Sequence, residues 1–217
     1  MGNFLKYRAK QIFTGQQFHP GENPVLVLTG PGVVEAIVPA SEAGEDVQEL
    51  DGILCPGFVN AHCHIELSHL KNTAPVGLGM MPFLLTVIGQ REAAAERVQQ
   101  AIMDAEAEML RNGIVAVGDI CNTPNSFPMK LRSPIRFYNF IEVMGFVPAT
   151  AAKRYEAAQQ LYSQCRAFSP HCSVSPHAPY SVSPELFSLI FSQPQQVVTL
   201  HNQESEAEQA FFQSKTG

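Results

Sequence analysis

Two histidines separated by one residue, His62 and His64, have the type and spacing that most clearly indicate chemistry in this chain. They close the segment 58–64, which follows the apolar pair Ile53–Leu54 and a Pro-Gly turn and therefore predicts a short buried strand. Because side chains alternate between the two faces of a strand, both imidazoles point the same way and Cys63 points the other way. Two imidazoles on one face can bind one metal ion, so the segment predicts a metal-dependent enzyme.

A third histidine ends a second predicted strand far downstream. Seven histidines in the chain give a chance His-x-His pair at about 0.2 per chain, so the interpretation depends on this second segment. Residues 197–200 read Val-Val-Thr-Leu, a pattern typical of a strand, His201 ends the segment, and Glu204 follows three residues later. Parallel strands of a barrel bring their carboxyl ends to one rim, where His62, His64 and His201 would form the three-ligand pattern of a catalytic zinc site. Zinc there lowers the pKa of a bound water to about 7, and Glu204 could take and deliver its proton.

Two further residues could face the same pocket. His177 follows the predicted strand 172–175, and it could be a metal ligand, a substrate contact or a loop histidine bound by hydrogen bonds. Glu66 lies two residues beyond His64 and could contact substrate or be a solvated loop carboxylate. Three more polar residues at strand ends could line the pocket or hydrogen-bond loop backbone equally well: Asp119, Glu142 and Asn202.

The elements that must position these side chains change character at Pro56. Residues 1–55 contain short apolar pieces between Gly/Pro turns and predict a small β-rich domain. Residues 56–217 alternate strand and helix patterns in about five βα units, which favours an α/β fold with a parallel sheet. The predicted strands are 58–64, 114–119, 135–143, 172–175 and 197–201; the predicted helices are 83–112 with a break near Gly89, 150–168 capped by Thr150, one opened by Ser183 and one with the capping box Ser205/Glu208.

Composition excludes several classes of protein. The chain has 217 residues, of which 45% are hydrophobic and 16% charged, so wholesale disorder is excluded. A formal net charge of −6 argues against nucleic acid and an anionic membrane surface as partners. No apolar run reaches the roughly 18 residues of a membrane helix. The five cysteines form no C-x-x-C pair and predict reduced thiols in a cytoplasmic protein.

Three ordered motifs together resemble the amidohydrolase superfamily. They are Pro-Gly-Phe-Val-Asn-Ala-His-Cys-His at 56–64, Ser-Pro-His-Ala-Pro-Tyr-Ser at 175–181 and His-Asn-Gln-Glu-Ser at 201–205. Their spacing is most similar to the mononuclear deaminase and chlorohydrolase branch, which includes adenosylhomocysteine, guanine and aminofutalosine deaminases. The resemblance implies a (β/α)8 TIM-type barrel flanked by a small β-sandwich, so 1–55 would belong to the sandwich and 56–217 to an incomplete barrel.

The resemblance also implies roles for individual residues. His62 and His64 resemble the first-strand metal ligands, His201 the fifth-strand ligand, and Glu204 the glutamate that moves a proton between water and substrate. His177 resembles the histidine that contacts substrate. Residues 171–180 contain no lysine that could bridge two metals, which favours one divalent ion, zinc or alternatively iron. The implied reaction is hydrolytic deamination of an aminated, purine- or nucleoside-like heterocycle.

One departure from the family pattern concerns length. The family completes its site with a histidine after strand six and an aspartate after strand eight, and neither occurs before Gly217. We therefore expect a C-terminally truncated barrel that is inactive alone and that self-associates as a homo-oligomer or pairs with the missing part. Two alternatives stay open: a non-catalytic subunit or interaction module, and a chlorohydrolase or amide hydrolase that uses the same ligands.

Overall fold

The computed structural model describes residues 4–73, 76–77, 79–192, 194 and 197–216. The chain divides into two compact units, Met1–Gly57 and Phe58–Gly217. The first is built from strands and the second from alternating strands and helices, so the chain is of the α/β class.

The first unit is built around a four-stranded sheet in the order β4-β3-β1-β5. Strand β3 pairs antiparallel with β1 and β4, whereas β1 pairs parallel with β5. A separate parallel pair joins β2 to β6. The strands are β1 (Leu5–Arg8), β2 (Gln11–Ile12), β3 (Pro24–Leu28), β4 (Val34–Pro39), β5 (Val47–Glu49) and β6 (Ile53–Leu54). Val25 is fully buried and, with Ile12 and Ala9, marks the small core of this unit.

The second unit contains a four-stranded parallel sheet in the order β7-β8-β9-β10. Helices α2, α3 and α4 lie in the three crossovers that these parallel strands require. The strands are β7 (Phe58–Cys63), β8 (Ile114–Cys121), β9 (Arg136–Val143) and β10 (Cys172–Pro176); the helices are α1 (Met80–Gln90), α2 (Ala95–Arg111), α3 (Phe127–Lys130), α4 (Ala151–Arg166), α5 (Pro184–Phe191) and α6 (Glu206–Ser214). Gly113 has φ 74° just after α2, the left-handed conformation that ends a helix.

Two buried clusters hold the helices against this sheet. Strands β9 and β10 and helix α5 contribute Ile141, Val174 and Leu186, each no more than 1% exposed. Helix α2 contributes Ile102 to the other cluster, against which Cys63 packs. Cys63 thus faces the helical layer, as the alternation of side chains along the strand predicts.

Helix starts agree with the predicted caps at two positions and differ at a third. The Ser183 hydroxyl accepts the Leu186 N–H at 3.2 Å. The Ser205 hydroxyl accepts the Glu208 N–H at 3.1 Å, while the Glu208 carboxylate accepts the N–H of Glu204 rather than that of Ser205. Thr150 lies at the N-cap position of α4, as predicted, but its side chain makes no capping hydrogen bond, because its hydroxyl donates to the Val147 carbonyl at 2.8 Å.

The predicted helix 83–112 is two helices, α1 and α2, and the break that was predicted near Gly89 lies close to it, at residues 91–94. The carbonyl oxygen of Arg91 lies 3.0 Å from His69 Nε2. The guanidinium of Arg91 lies 3.5 Å from Glu66 Oε1. These contacts with the segment that follows β7 hold the chain at Arg91 out of a continuous helix.

Two strand predictions need correction. The segment 58–64 forms a strand, but it is not buried: Phe58 and Val59 are 59% and 66% exposed, because β7 has a neighbour on one side only among the described strands. Residues 197–201 form no strand in the described part of the chain. The segment follows β10 through single hydrogen bonds, from the Thr199 N–H to Ser175 Oγ at 3.3 Å and from the His201 N–H to the His177 carbonyl at 2.8 Å.

No helix within the described ranges has both the length and the apolar character needed to cross a membrane.

Candidate metal centre

The end of β7 presents two imidazoles to the same point. His62 Nε2 and His64 Nε2 lie 3.2 Å apart. The Asn60 side-chain oxygen accepts the His62 N–H at 3.3 Å, which steadies the backbone at this position. Tetrahedral zinc binds nitrogen at about 2.0–2.1 Å, so two nitrogen ligands lie roughly 3.3 Å apart. The observed separation therefore suits a shared metal ion.

His201 closes the triangle. Its ring centroid lies 4.7 Å from that of His62 and 5.4 Å from that of His64. One ring nitrogen from each histidine can be chosen so that all three atoms lie within 4.8 Å of one another. The hydrogen bond from the His201 N–H to the His177 carbonyl fixes the backbone that carries this ring. The structure thus brings together the three histidines that the sequence predicts as ligands.

Desolvation lowers the pKa of two of these imidazoles. It is the main cause for His62, which is exposed, and it lowers the pKa of the half-buried His64 to about 4. A neutral imidazole has a free nitrogen lone pair, which is the form that binds a metal ion. Neutral nitrogen donors that converge at this distance fit the divalent ion that the sequence implies.

Two carboxylates flank His201. Glu204 Oε1 lies 3.3 Å from Nδ1, and Glu142 Oε1 lies 3.4 Å from Nε2. The close polar contact with Glu142 is the main cause that raises the pKa of His201. Burial raises the pKa of Glu142, but contacts with His201, His177 and Asn122 outweigh it, and the net pKa is lowered. Glu142 is therefore a buried anion beside the imidazoles.

Glu142 is the residue of this site that sequence reasoning left undecided. Its side chain is 3% exposed, and its Oε2 accepts a hydrogen bond from Asn122 Nδ2 at 2.9 Å. Its position near the carboxyl end of β9, two strands from β7, is the signal that pointed to the pocket. Of the other two open candidates, Asn202 is exposed, and Asp119 is fully buried and pairs with Lys130.

His177 lies beside His201. The two ring centroids are 4.9 Å apart, and His177 Nδ1 lies 2.7 Å from the Ser181 hydroxyl. Burial is the main cause that lowers the pKa of His177. The ring of Tyr180 meets it edge to face at 5.9 Å. The Ser181 hydroxyl thus orients the His177 ring, and Nε2 has no hydrogen-bond partner among the described contacts.

Glu66 is not a solvated loop carboxylate. It is 3% exposed, and its Oε2 accepts hydrogen bonds from both backbone N–H groups of Asn122 and Thr123 and from the Thr123 hydroxyl, at 3.2, 2.9 and 2.8 Å. Burial is the main cause that raises its pKa. Since Asn122 also binds Glu142, Glu66 supports the loop after β8. Contact between Glu66 and substrate stays a prediction.

A buried ion pair supports the chain just after His64. Asp119 Oδ1 accepts the Ile65 N–H at 2.9 Å, and Oδ2 lies 2.5 Å from Lys130 Nζ. Lys130 also donates to Asn139 Oδ1 at 2.7 Å. The Asp119 and Lys130 side chains are 0% and 1% exposed. Sequence reasoning gave Lys130 no role, because nothing in its neighbourhood shows that the short helix α3 would bury it.

Comparison with known proteins gives a family match and several relatives. Residues 53–216 match the amidohydrolase family. The chain is 28% identical over 174 residues to the aminodeoxyfutalosine deaminase of a Nitratiruptor species, covering 77% of this chain and 43% of that protein. It is 28% identical over 137 residues to an adenosine deaminase of Helicobacter pylori, covering 63% of this chain and 33% of that protein.

Solved structures show the same fold. The aminofutalosine deaminase of Helicobacter pylori in complex with methylthio-coformycin superposes with a TM-score of 0.81 at 21% identity, over 98% of this chain and 54% of that one. An adenosine deaminase from Xanthomonas campestris with bound zinc gives a TM-score of 0.66 at 21% identity, over 98% and 52%. The chain thus spans about half the length of these structures and less than half that of the curated relatives.

Proposed function

Because this chain belongs to the amidohydrolase family, we propose that it supplies the metal-binding part of a hydrolase that deaminates an aminated heterocycle. The observation that carries the proposal is the convergence of His62, His64 and His201, with Glu204 within 3.3 Å of the third imidazole. Three converging imidazole nitrogens with a carboxylate beside them are what metal-assisted hydrolysis requires.

We propose that the second unit is part of a (β/α)8 barrel and the first unit part of a small β-sandwich, divided near residue 55. Four parallel strands with helical crossovers support the barrel. The mainly antiparallel sheet of residues 5–49 supports the sandwich. In such a barrel the metal site lies at the carboxyl end of the strands, which is where β7 places His62 and His64.

His62, His64 and His201 would hold one divalent ion, zinc in the first place and iron as the alternative. When bound, the ion would supply Lewis-acid activation of water for attack on the ring carbon that bears the amine. The donor set agrees with either metal, because imidazole suits zinc and iron alike.

Glu204 is positioned to move the proton. Its side chain is 41% exposed, so one face of the carboxylate is open to substrate while Oε1 contacts His201. A general base must lie within hydrogen-bond reach of the proton that it takes, directly or through one water. His177, with Nε2 free, would donate to or accept from the heterocycle, and Glu66 would act on substrate from the loop side.

The names of the relatives support a purine-like substrate. Those names are aminodeoxyfutalosine deaminase, adenosine deaminase and 5-methylthioadenosine/S-adenosylhomocysteine deaminase. We therefore propose that the substrate is a small molecule. We propose further that neither nucleic acid nor a membrane is a partner and that the protein acts in the cytoplasm. The alternatives are a chlorohydrolase or amide hydrolase with the same ligands, and a non-catalytic subunit that pairs with a second polypeptide or a second copy.

Release of ammonia tests this proposal. Adenosine, 5-methylthioadenosine and S-adenosylhomocysteine would be supplied to the 217-residue chain and to the longest natural polypeptide that contains it. We expect ammonia from the longer polypeptide and none from the chain alone. In the longer polypeptide, Glu204→Gln should lower kcat by roughly 10²- to 10⁴-fold, because the side chain that carries the proton is removed.

The matched control is Glu206→Gln. Glu206 is an exposed carboxylate in the first turn of α6 and contacts none of the three histidines in the described contacts. It should leave kcat unchanged. Equal kcat in Glu204→Gln and wild type would contradict the role of Glu204, and release of chloride or cleavage of an amide instead of ammonia would favour the alternative hydrolases.

A further inference from the structure

A second set of metal-ligating side chains overlaps the first and shares one residue with it. One carboxylate oxygen of Glu142 and one ring nitrogen each of His177 and His201 lie within 4.8 Å of one another. We propose that Glu142, His177 and His201 form an alternative binding position for a divalent transition-metal ion, which competes with the position at His62, His64 and His201.

The ligand chemistry of this second position is that of a known open site. Two imidazoles and one carboxylate form the three-ligand set of several catalytic zinc centres. The Glu142 Oε1 to His201 Nε2 distance of 3.4 Å agrees with two donors on one tetrahedral ion, about 3.3 Å apart. His201 Nε2 is buried and has no hydrogen-bond partner within the described contacts, although a polar atom in such a position ordinarily has one.

Outer contacts already hold the two other ligands in place. Asn122 Nδ2 donates to Glu142 Oε2, which leaves Oε1 turned towards His201. The Ser181 hydroxyl lies 2.7 Å from His177 Nδ1, which leaves Nε2 as the free nitrogen. Outer partners of this kind orient ligands and raise metal affinity.

Charge distinguishes the two positions. The set at β7 consists of three imidazoles and carries no negative charge when they are neutral. The second set includes the carboxylate of Glu142, whose side chain is 3% exposed and which would offset part of the charge of a divalent ion in a poorly solvated place. The second set therefore offers an electrostatic attraction that the first lacks.

The two positions exclude each other because both need His201. A neutral imidazole has one nitrogen lone pair, so His201 can ligate one ion at a time. The chain would bind a single ion that is distributed between the two positions. This conclusion concerns metal binding alone and holds whether or not the protein is a deaminase.

Titration with Co²⁺, followed by its visible absorption, tests the proposal. Wild type should bind about one ion per chain, because a single His201 serves both positions. His62→Gln/His64→Gln removes the first set and Glu142→Gln/His177→Gln removes the second. Each double variant should still bind about one ion, with weaker affinity and a different spectrum, since each retains a complete three-ligand set. His201→Gln should bind none at the same concentrations.

The decisive outcome concerns the first double variant. If His62→Gln/His64→Gln binds no Co²⁺, as His201→Gln does, while its circular dichroism equals that of wild type, the second position does not exist. If that variant does not fold, the wild-type chain with ¹⁵N-labelled histidine answers the question. Addition of Zn²⁺ up to one equivalent should shift the His177 ring nitrogens, and unchanged His177 signals would overturn the proposal.

Discussion

At the scale of single residues, the buried Lys130–Asp119 pair connects stability with the metal ligands. Asp119 binds Lys130 through one oxygen and the N–H of Ile65, the residue after His64, through the other. Removing one partner of a buried pair leaves an uncompensated charge. The position of His64 therefore depends on a lysine that never faces the pocket.

Lys130→Met should lower the free energy of unfolding by about 3–5 kcal/mol, measured with urea, because it leaves the Asp119 carboxylate buried without its cation. Lys130→Met/Asp119→Asn is the matched control. Asparagine still accepts the Ile65 N–H and carries no charge, so the double variant should regain much of the loss. A double variant as unstable as the single one would contradict this account.

Alkaline pH should weaken the same pair. Burial lowers the pKa of Lys130, but the charge of Asp119 and the hydrogen bonds outweigh it, so the pKa lies above its ordinary value of 10.5. A raised pKa in the folded chain means that the stabilisation is complete below pH 10.5 and is lost as pH rises through the folded-state pKa. The difference in free energy of unfolding between wild type and Lys130→Met/Asp119→Asn should shrink in that pH range. A difference that does not change with pH would contradict the ionic account.

The single residues show which roles a sequence can predict. The convergence of His62 and His64 was predictable from strand alternation, whereas His201 reaches them from a segment that forms no strand and is held by the hydrogen bond from its N–H to the His177 carbonyl. Glu142 could only be an open candidate, since its contact with His201 depends on how β9 and residues 197–201 lie beside β10. Lys130 was not predictable, because its burial depends on the packing of α3.

At the scale of elements, a close approach of two strands fixes β7. A Cβ added to Gly118 in β8 would lie 2.5 Å from the carbonyl oxygen of Ala61 in β7 and 3.1 Å from Phe140 Cε2. Backbone cannot move aside as the end of a flexible side chain can. The register that places His62 beside β8 therefore needs glycine at position 118.

Gly118→Ala should lower the free energy of unfolding by about 1–3 kcal/mol, the usual cost of overpacking. Gly89→Ala is the matched control, because a Cβ there has no atom within 4 Å and Gly89 lies in α1. That change should stabilise the chain by about 0.5–1 kcal/mol, since alanine favours helix. Equal effects of the two substitutions in urea unfolding would contradict the close approach of β7 and β8.

Elements were predictable where local chemistry decides them. The strands β8, β9 and β10 and the caps Ser183 and Ser205 follow from apolar runs and hydroxyl side chains. Residues 197–201 carry a strand-like pattern but form no ladder, since they bond to β10 at isolated points. The break predicted near Gly89 lies at residues 91–94, and its position depends on contacts of Arg91 with residues distant in sequence.

At the scale of the whole molecule, the second unit exposes large apolar side chains. Val59 on β7, Ile88 on α1 and Phe146 after β9 are 66%, 71% and 71% exposed. Exposed apolar surface and a free strand edge favour association. The number of βα units in the sequence predicted self-association, whereas the structure was needed to identify the exposed residues.

We expect the purified chain to self-associate in size-exclusion chromatography with light scattering. Val59→Lys should shift it towards the monomer, because a charge on an edge strand opposes edge pairing. Ile88→Lys tests whether the exposed helix α1 is the contact surface instead, and it should leave the association unchanged. A monodisperse wild-type monomer would contradict the expectation.

The metal content of purified chain tests the central claim most directly. It would be measured by elemental mass spectrometry after incubation with Zn²⁺ and desalting, for wild type, His201→Ala and the control His171→Ala. His171 is exposed and distant in sequence from every ligand of the three-histidine set. We predict about one zinc per chain in wild type and His171→Ala and none in His201→Ala, because the three imidazoles form one site. A wild-type chain without metal, or a His201→Ala chain with as much zinc as wild type, would contradict the account.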